Sequence, residues 1–137
     1  LRSHELMVRV YYQDTDAGGI VYHTRYLDYM ERARTEWLRH LGVDLPGLAA
    51  EHGRMFVAKS VTIDYLKPAR LDAMLTVRTQ PAKIARAYLD LNQDIFCGSM
   101  QLTSGQVRIV CVDTASLKPS AIPREAVERI HNTGPSA

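Results

Sequence analysis

Thr-Arg-Tyr-Leu-Asp-Tyr-Met-Glu-Arg-Ala-Arg-Thr-Glu-Trp-Leu-Arg-His-Leu, residues 24–41, carries the clearest structural period in the chain. Tyr26, Met30, Ala33, Trp37 and Leu41 recur at steps of three or four, which puts them on one stripe of an amphipathic helix. Gly42 follows as a helix stop. The other face carries Asp28, Glu31, Arg32, Arg34, Glu36 and Arg39, the composition of a solvated face with i,i+4 pairs such as Asp28 with Arg32.

On either side of this helix the texture changes. Upstream, residues 7–12 (Met-Val-Arg-Val-Tyr-Tyr) alternate and predict a strand that ends at Gln13-Asp14. Downstream, residues 45–52 read as a short helix or turn, and four strands are predicted over residues 56–66, 72–79, 85–96 and 105–112. Pro68 and Pro81 interrupt these runs, while Gly98 and Ser104-Gly105 offer turn chemistry near a hairpin. A last helix starts near Pro123, with Glu125 suited to its first turn. One strand, a long helix and then four strands predict an α+β fold, an antiparallel sheet packed on one helix. At 137 residues the chain fits a single domain with one site, residues 1–137.

The balance of residue types narrows the partners. A net charge of +2 is spread among acids without a basic run, which argues against nucleic acid but leaves room for a small phosphorylated ligand. Cys97 and Cys111 lack metal-ligand spacing and sit in apolar strand-like runs, so reduced, buried thiols in a cytoplasmic protein are expected. No apolar stretch approaches the length of a transmembrane span, and Leu1-Arg2-Ser3-His4-Glu5 has no signal-like apolar core.

The loop before the helix concentrates chemistry. Residues 11–23, Tyr-Tyr-Gln-Asp-Thr-Asp-Ala-Gly-Gly-Ile-Val-Tyr-His, bring a carboxylate and two glycines to a helix N-terminus. Unpaired N–H groups and the positive dipole end suit a carbonyl oxygen that is becoming an oxyanion. Asp16, a short distance upstream, is placed to attack such a carbonyl or to take a proton from water. The same residues also satisfy a helix cap and a glycine turn. Asp14, Asp16 and Gly19 match the first, third and sixth positions of a calcium loop, but Gly18 and Arg25 fail its fifth and twelfth. His23 has no second His or Cys at zinc-ligand spacing, and no metal is expected. There is no Gly-x-Ser-x-Gly elbow, and neither cysteine adjoins a base.

The run from Tyr11 to His23, continuing through Tyr26-Leu27 and Glu31-Arg32-Ala33-Arg34, resembles the 4-hydroxybenzoyl-CoA thioesterase family, and most strongly its YbgC-like, Tol-Pal-associated acyl-CoA thioesterases. The likeness extends through Phe56-Val57, Asp64-Tyr65, Pro68-Ala69-Arg70-Leu71-Asp72, Val110-Cys111-Val112-Asp113 and Lys118-Pro119. It implies a hotdog fold, in which the sheet wraps around the long helix, and hydrolysis of an acyl-CoA to a carboxylic acid and free CoA. Asp16, not Asp14, then takes the place of the catalytic carboxylate, with Tyr12 and His23 as auxiliary residues. The carbonyl-polarising N–H falls at or near His23. The resemblance also implies a homodimer or homotetramer with its site at the subunit interface, and no cofactor beyond the CoA of the substrate.

Lys83 and Arg86, between two predicted strands, fall where the family contacts CoA phosphates, and basic residues there suit a phosphorylated ligand. Lys59 and Ser60, at the start of the strand after the first loop, border the same cleft. Glu31 stands on the helix as a second carboxylate, for which an ion pair or structural hydrogen bond is expected. An acyl carrier protein in place of CoA, or a non-catalytic acyl-binding or scaffold subunit of an envelope-associated complex, are the alternatives.

Overall fold

A computed structural model of the chain describes residues 3–131. Its elements run β1 (His4–Arg9), α1 (Arg25–His40), α2 (Leu45–His52), β2 (Arg54–Tyr65), β3 (Met74–Ile84), β4 (Tyr88–Cys97), β5 (Met100–Asp113) and α3 (Arg124–His131). The five strands form one antiparallel sheet in the order β1-β3-β4-β5-β2.

Strand alternation gives this sheet one apolar face. Leu75 and Val77 on β3, Leu89, Leu91 and Ile95 on β4, and Val107, Ile109 and Cys111 on β5 are all buried. Against them α1 buries Tyr26, Tyr29, Met30, Ala33, Trp37 and Leu38: four of the five residues of the predicted stripe with Tyr29 and Leu38 added, while the fifth, Leu41, is the C-cap residue and only half-buried. Each large side chain so covered contributes about 1.5–3 kcal/mol of transfer free energy. A sheet wrapped around one long helix is the hotdog arrangement, of the α+β class.

Several local expectations change. The first strand lies earlier than residues 7–12, because Tyr12–Asp14 turn into a single 3-10 helix tied by the Asp14 carboxylate. Ser104-Gly105 is not a turn: both lie inside β5, and the β4–β5 hairpin turns at Gly98, whose φ is 60°. Pro81 does not interrupt its strand, since β3 runs through it to Ile84 and absorbs the irregularity as a register shift between Pro81 and Lys83. On α1, Asp28 pairs with Arg25 at 3.2 Å rather than with Arg32. Cys111 is buried and Cys97 half-buried, both free thiols.

Candidate functional site

The segment between β1 and α1 folds back on itself. The N–H groups of Asp14 and Thr15 donate to the carbonyls of Tyr11 and Tyr12, each at 3.0 Å, closing the 3-10 turn. The Asp16 N–H donates to Ile20 O at 2.9 Å, Gly19 N–H to Asp16 O at 3.1 Å, and a bridge joins Thr15 to Val21. Gly19, at φ 77°, takes the left-handed conformation that this reversal needs. The returning leg is anchored by Tyr22 N–H on Asp14 O at 2.8 Å and Val21 N–H on Ala69 O at 2.9 Å.

This folding separates the two aspartates. Asp14 is buried, and its Oδ2 accepts from the Tyr11 N–H at 2.9 Å. Asp16 is exposed; its Oδ1 accepts from Gly18 N–H at 2.8 Å, and a carboxylate with about four lone-pair sites keeps capacity for more.

The start of α1 lies directly beyond. Thr24, the N-cap residue, has helical dihedrals and makes no side-chain cap bond. Arg25 N–H bonds to Tyr22 O at 2.9 Å and Leu27 N–H to Thr24 O at 3.1 Å, whereas among the described residues the N–H groups of His23 and Thr24 have no backbone acceptor. These open amides stand at the positive end of a 16-residue helix. The His23 ring packs on the Tyr22 ring at 4.5 Å and edge-on to Tyr65 at 6.4 Å. Tyr65 donates its hydroxyl hydrogen to His23 O at 2.9 Å. Asp16 and His23 thus share one loop–helix junction, and Tyr12 belongs to the same loop with its side chain 81% exposed.

The four residues predicted for CoA lie elsewhere on the sheet. Lys59 occupies the bulge of β2, and Ser60 opposite Arg108 begins a row that continues through Asp90 to Lys83. Lys59 and Ser60 are therefore mid-strand, not at a strand start, and Lys83 lies inside β3, not between strands. Only Arg86 sits in the β3–β4 turn, where its carbonyl accepts from Ile122 N–H at 2.9 Å. The row crosses β2 five residues before Tyr65, the residue that bonds to His23 O, and so lies roughly 17 Å along the strand from Tyr65 at about 3.3 Å per residue.

In the middle of the row Arg108 donates to both Asp90 oxygens, at 2.7 and 3.0 Å, and this bond holds the Asp90 carboxyl below its ordinary range. The Arg108 guanidinium lies 4.0 Å over the Tyr88 ring, with Lys83 Nζ at 5.5 Å from the same ring. Ser60, Thr62, Asp90, Gln106 and Arg108 line a groove of about 320 Å³ here. Asp90 and Arg108 escape sequence reading because only the β4–β5 register brings them together.

A second cleft, of about 480 Å³, runs between α1 and β2 and is lined by Glu31, Arg34, Leu38, Phe56, Val57 and Ile109 among others. Burial pushes the Arg34 guanidinium below its ordinary value, partly offset by Glu31, and Arg34 reaches Gln93 Oε1 at 3.4 Å. Glu31 itself is exposed and, among the described residues, makes neither an ion pair within 4.0 Å nor a side-chain hydrogen bond, where the sequence led us to expect one or the other; its charge is felt at Arg34 only through space.

The wrapped sheet and the polar loop at the head of its helix define a hotdog-fold protein. Residues 10–130 match the thioesterase-like superfamily, and the chain belongs to that family. An acyl-CoA thioesterase YbgC of Haemophilus influenzae is 42% identical over 91% of this chain and 92% of its own length. The acyl-CoA thioester hydrolase YbgC of Escherichia coli O157:H7 is 44% identical over 88% of this chain and 90% of its own length. In fold, the crystal structure of a 1,4-dihydroxy-2-naphthoyl-CoA thioesterase from Synechocystis superposes with a TM-score of 0.87 at 20% identity, covering 96% of this chain and 98% of that one.

Proposed function

We propose that the chain hydrolyses acyl-CoA thioesters to a carboxylic acid and free CoA, with Asp16 as the reacting carboxylate. The observation that carries this reading is an exposed carboxylate on the same loop–helix junction as two backbone N–H groups without backbone acceptors. The thioester carbonyl oxygen accepts from that helix start, which stabilises the negative charge of the tetrahedral intermediate. In one route an Asp16 oxygen attacks the carbonyl carbon, the C–S bond breaks, the thiolate leaves and takes a proton, and water cleaves the resulting anhydride. In the other, Asp16 takes a proton from water, hydroxide adds to the carbon, and the thiolate leaves and is protonated. Every step uses protein groups and water alone. His23 and Tyr12 act as auxiliary groups beside the carboxylate.

Lys59, Ser60, Lys83 and Arg86 form the nucleotide-binding side, and the acyl group enters the largely apolar α1–β2 cleft. The assembly is a homodimer or homotetramer. Support comes from β2, a 12-residue edge strand with Val57, Val61 and Tyr65 exposed, the kind of edge that a second copy covers. The free thiols of Cys97 and Cys111 suit a cytoplasmic location.

A graded panel of short, long and aryl acyl-CoA substrates, followed by release of free thiol, tests the reading. Turnover of at least one class is expected. No hydrolysis of any member, or hydrolysis only of the same acyl groups on acyl carrier protein, would overturn CoA as the carrier.

A further inference from the structure

We infer that Tyr65 is a positioning residue for the proposed thioesterase reaction, and that it acts through the peptide plane joining His23 to Thr24. The inference rests on the reading of Asp16 and the helix start as the reaction site.

The hydroxyl of Tyr65 donates to the carbonyl oxygen of His23 at 2.9 Å. That oxygen and the N–H of Thr24 belong to one amide. In a trans peptide the two groups point in opposite directions across a rigid plane. A bond that pins the oxygen on one side therefore fixes the direction of the N–H on the other. Because the amide is conjugated, drawing electron density toward its oxygen also makes its N–H a better donor, the cooperative strengthening seen in hydrogen-bond chains. The Thr24 N–H has no backbone acceptor among the described residues, so this prepared donor remains available to a substrate oxygen.

The helix supplies no competing restraint at this point. Thr24 makes no side-chain cap bond, and the Leu27 N–H bonds to Thr24 O at 3.1 Å, leaving the His23 carbonyl to Tyr65. Tyr65 is well placed to hold the plane because it closes β2, opposite Thr103 of β5. Its ring meets the Tyr26 ring at 5.4 Å and the His23 ring edge-on at 6.4 Å, and its phenolic hydroxyl is protonated, and so a donor, at neutral pH. Tyr26 acts differently, since its hydroxyl accepts from Ala69 N–H at 3.1 Å and so anchors the segment after β2.

Tyr65→Phe removes the one hydroxyl and keeps the ring. With an acyl-CoA that the wild-type protein hydrolyses, kcat is expected to fall roughly 5- to 30-fold with KM within about twofold, since a donor that matters mainly to the developing oxyanion affects the transition state more than binding. Tyr26→Phe, measured beside it, is expected to lower the melting temperature while kcat stays within about twofold. Unchanged kcat in Tyr65→Phe, an effect confined to KM, or an equal kcat loss in Tyr26→Phe would overturn the inference. Asp16→Asn in the same assay separates the two ideas. An active Asp16→Asn removes the underlying mechanism, whereas an inactive Asp16→Asn with a fully active Tyr65→Phe removes only the role of Tyr65.

Discussion

The Gln93 amide donates from Nε2 to the main-chain carbonyl of Met30 at 2.9 Å, tying the middle of the sheet to the middle of α1. The same nitrogen reaches Thr79 Oγ1 at 2.8 Å, and both side chains are buried. Helix and sheet approach this closely because Gly105 lies opposite Gln93. A Cβ there would sit 2.6 Å from the Gln93 carbonyl oxygen and 2.8 Å from Met30 Cε. Gly105→Ala is therefore expected to cost about 1–3 kcal/mol of stability, the range for overpacking a core. Denaturant melts measure it, and an unchanged midpoint would contradict the close packing of α1 on β5.

At the other end of α1, the rings of His4 and His40 lie 5.0 Å apart. The His4 imidazole is held below its ordinary pKa, first by burial and then by His40, with Glu36 and Glu5 acting in the opposite sense. The folded value is thus below the unfolded one, near 6.5. The unfolded chain binds the proton first on acidification, so the neutral ring's contribution is complete above about pH 6.5 and is lost as pH falls toward the folded value. Wild-type stability is expected to drop relative to His4→Gln between about pH 7 and pH 5. A difference that stays constant across that interval would contradict this account.

Much of this architecture is legible in the sequence because it rests on local periods. Tyr26, Met30, Ala33 and Trp37 announce the buried face of α1, and they are buried. The turn at Gly98 and the helix stop at Gly42 are likewise local, each with a positive φ. What is lost depends on contacts distant in sequence. Ser104-Gly105 looks like a turn because its reason for being small, the approach of Met30, lies on another element. Tyr11 and Tyr12 are a local exception: their residue types continue the alternation of Val8 and Val10, which hides that the Asp14 carboxylate, three residues after Tyr11, closes a 3-10 turn there. The loop bearing Asp16 and His23 could be picked out from its residue types and from family likeness. The hydroxyl of Tyr65 could not, being 42 residues away from the carbonyl it meets.

The β3–β4 end carries the charge expected to meet a nucleotide. Lys83 faces Asp90 and the Tyr88 ring, whereas Arg86 is exposed in the turn. Arg86→Glu or Lys83→Glu is expected to lower kcat/KM for acyl-CoA roughly 3- to 10-fold, with little change for the acyl-pantetheine that lacks the nucleotide phosphates. The difference should shrink as salt is raised. Equal losses on the two substrates would show that these cations serve the fold and not the phosphates.

The division of labour between Asp14 and Asp16 gives a further test. Asp14→Ala removes the acceptor for the Tyr11 N–H and is expected to destabilise the protein by about 1–3 kcal/mol. Such a loss is read from thermal melts. A variant as stable as the wild type would show that the 3-10 turn holds without its carboxylate.

The most direct measurement is kcat of Asp16→Asn on an acyl-CoA, at matched thermal stability, beside Glu31→Gln. Asparagine keeps an oxygen for the Gly18 N–H but lacks the negative charge needed to attack a carbonyl or take a proton. The account predicts a fall of about 10²- to 10⁴-fold in kcat with the melting temperature nearly unchanged, and only a small loss for Glu31→Gln. An Asp16→Asn protein that keeps most of its kcat would contradict the central claim and make Glu31, on the rim of the α1–β2 cleft, the leading carboxylate.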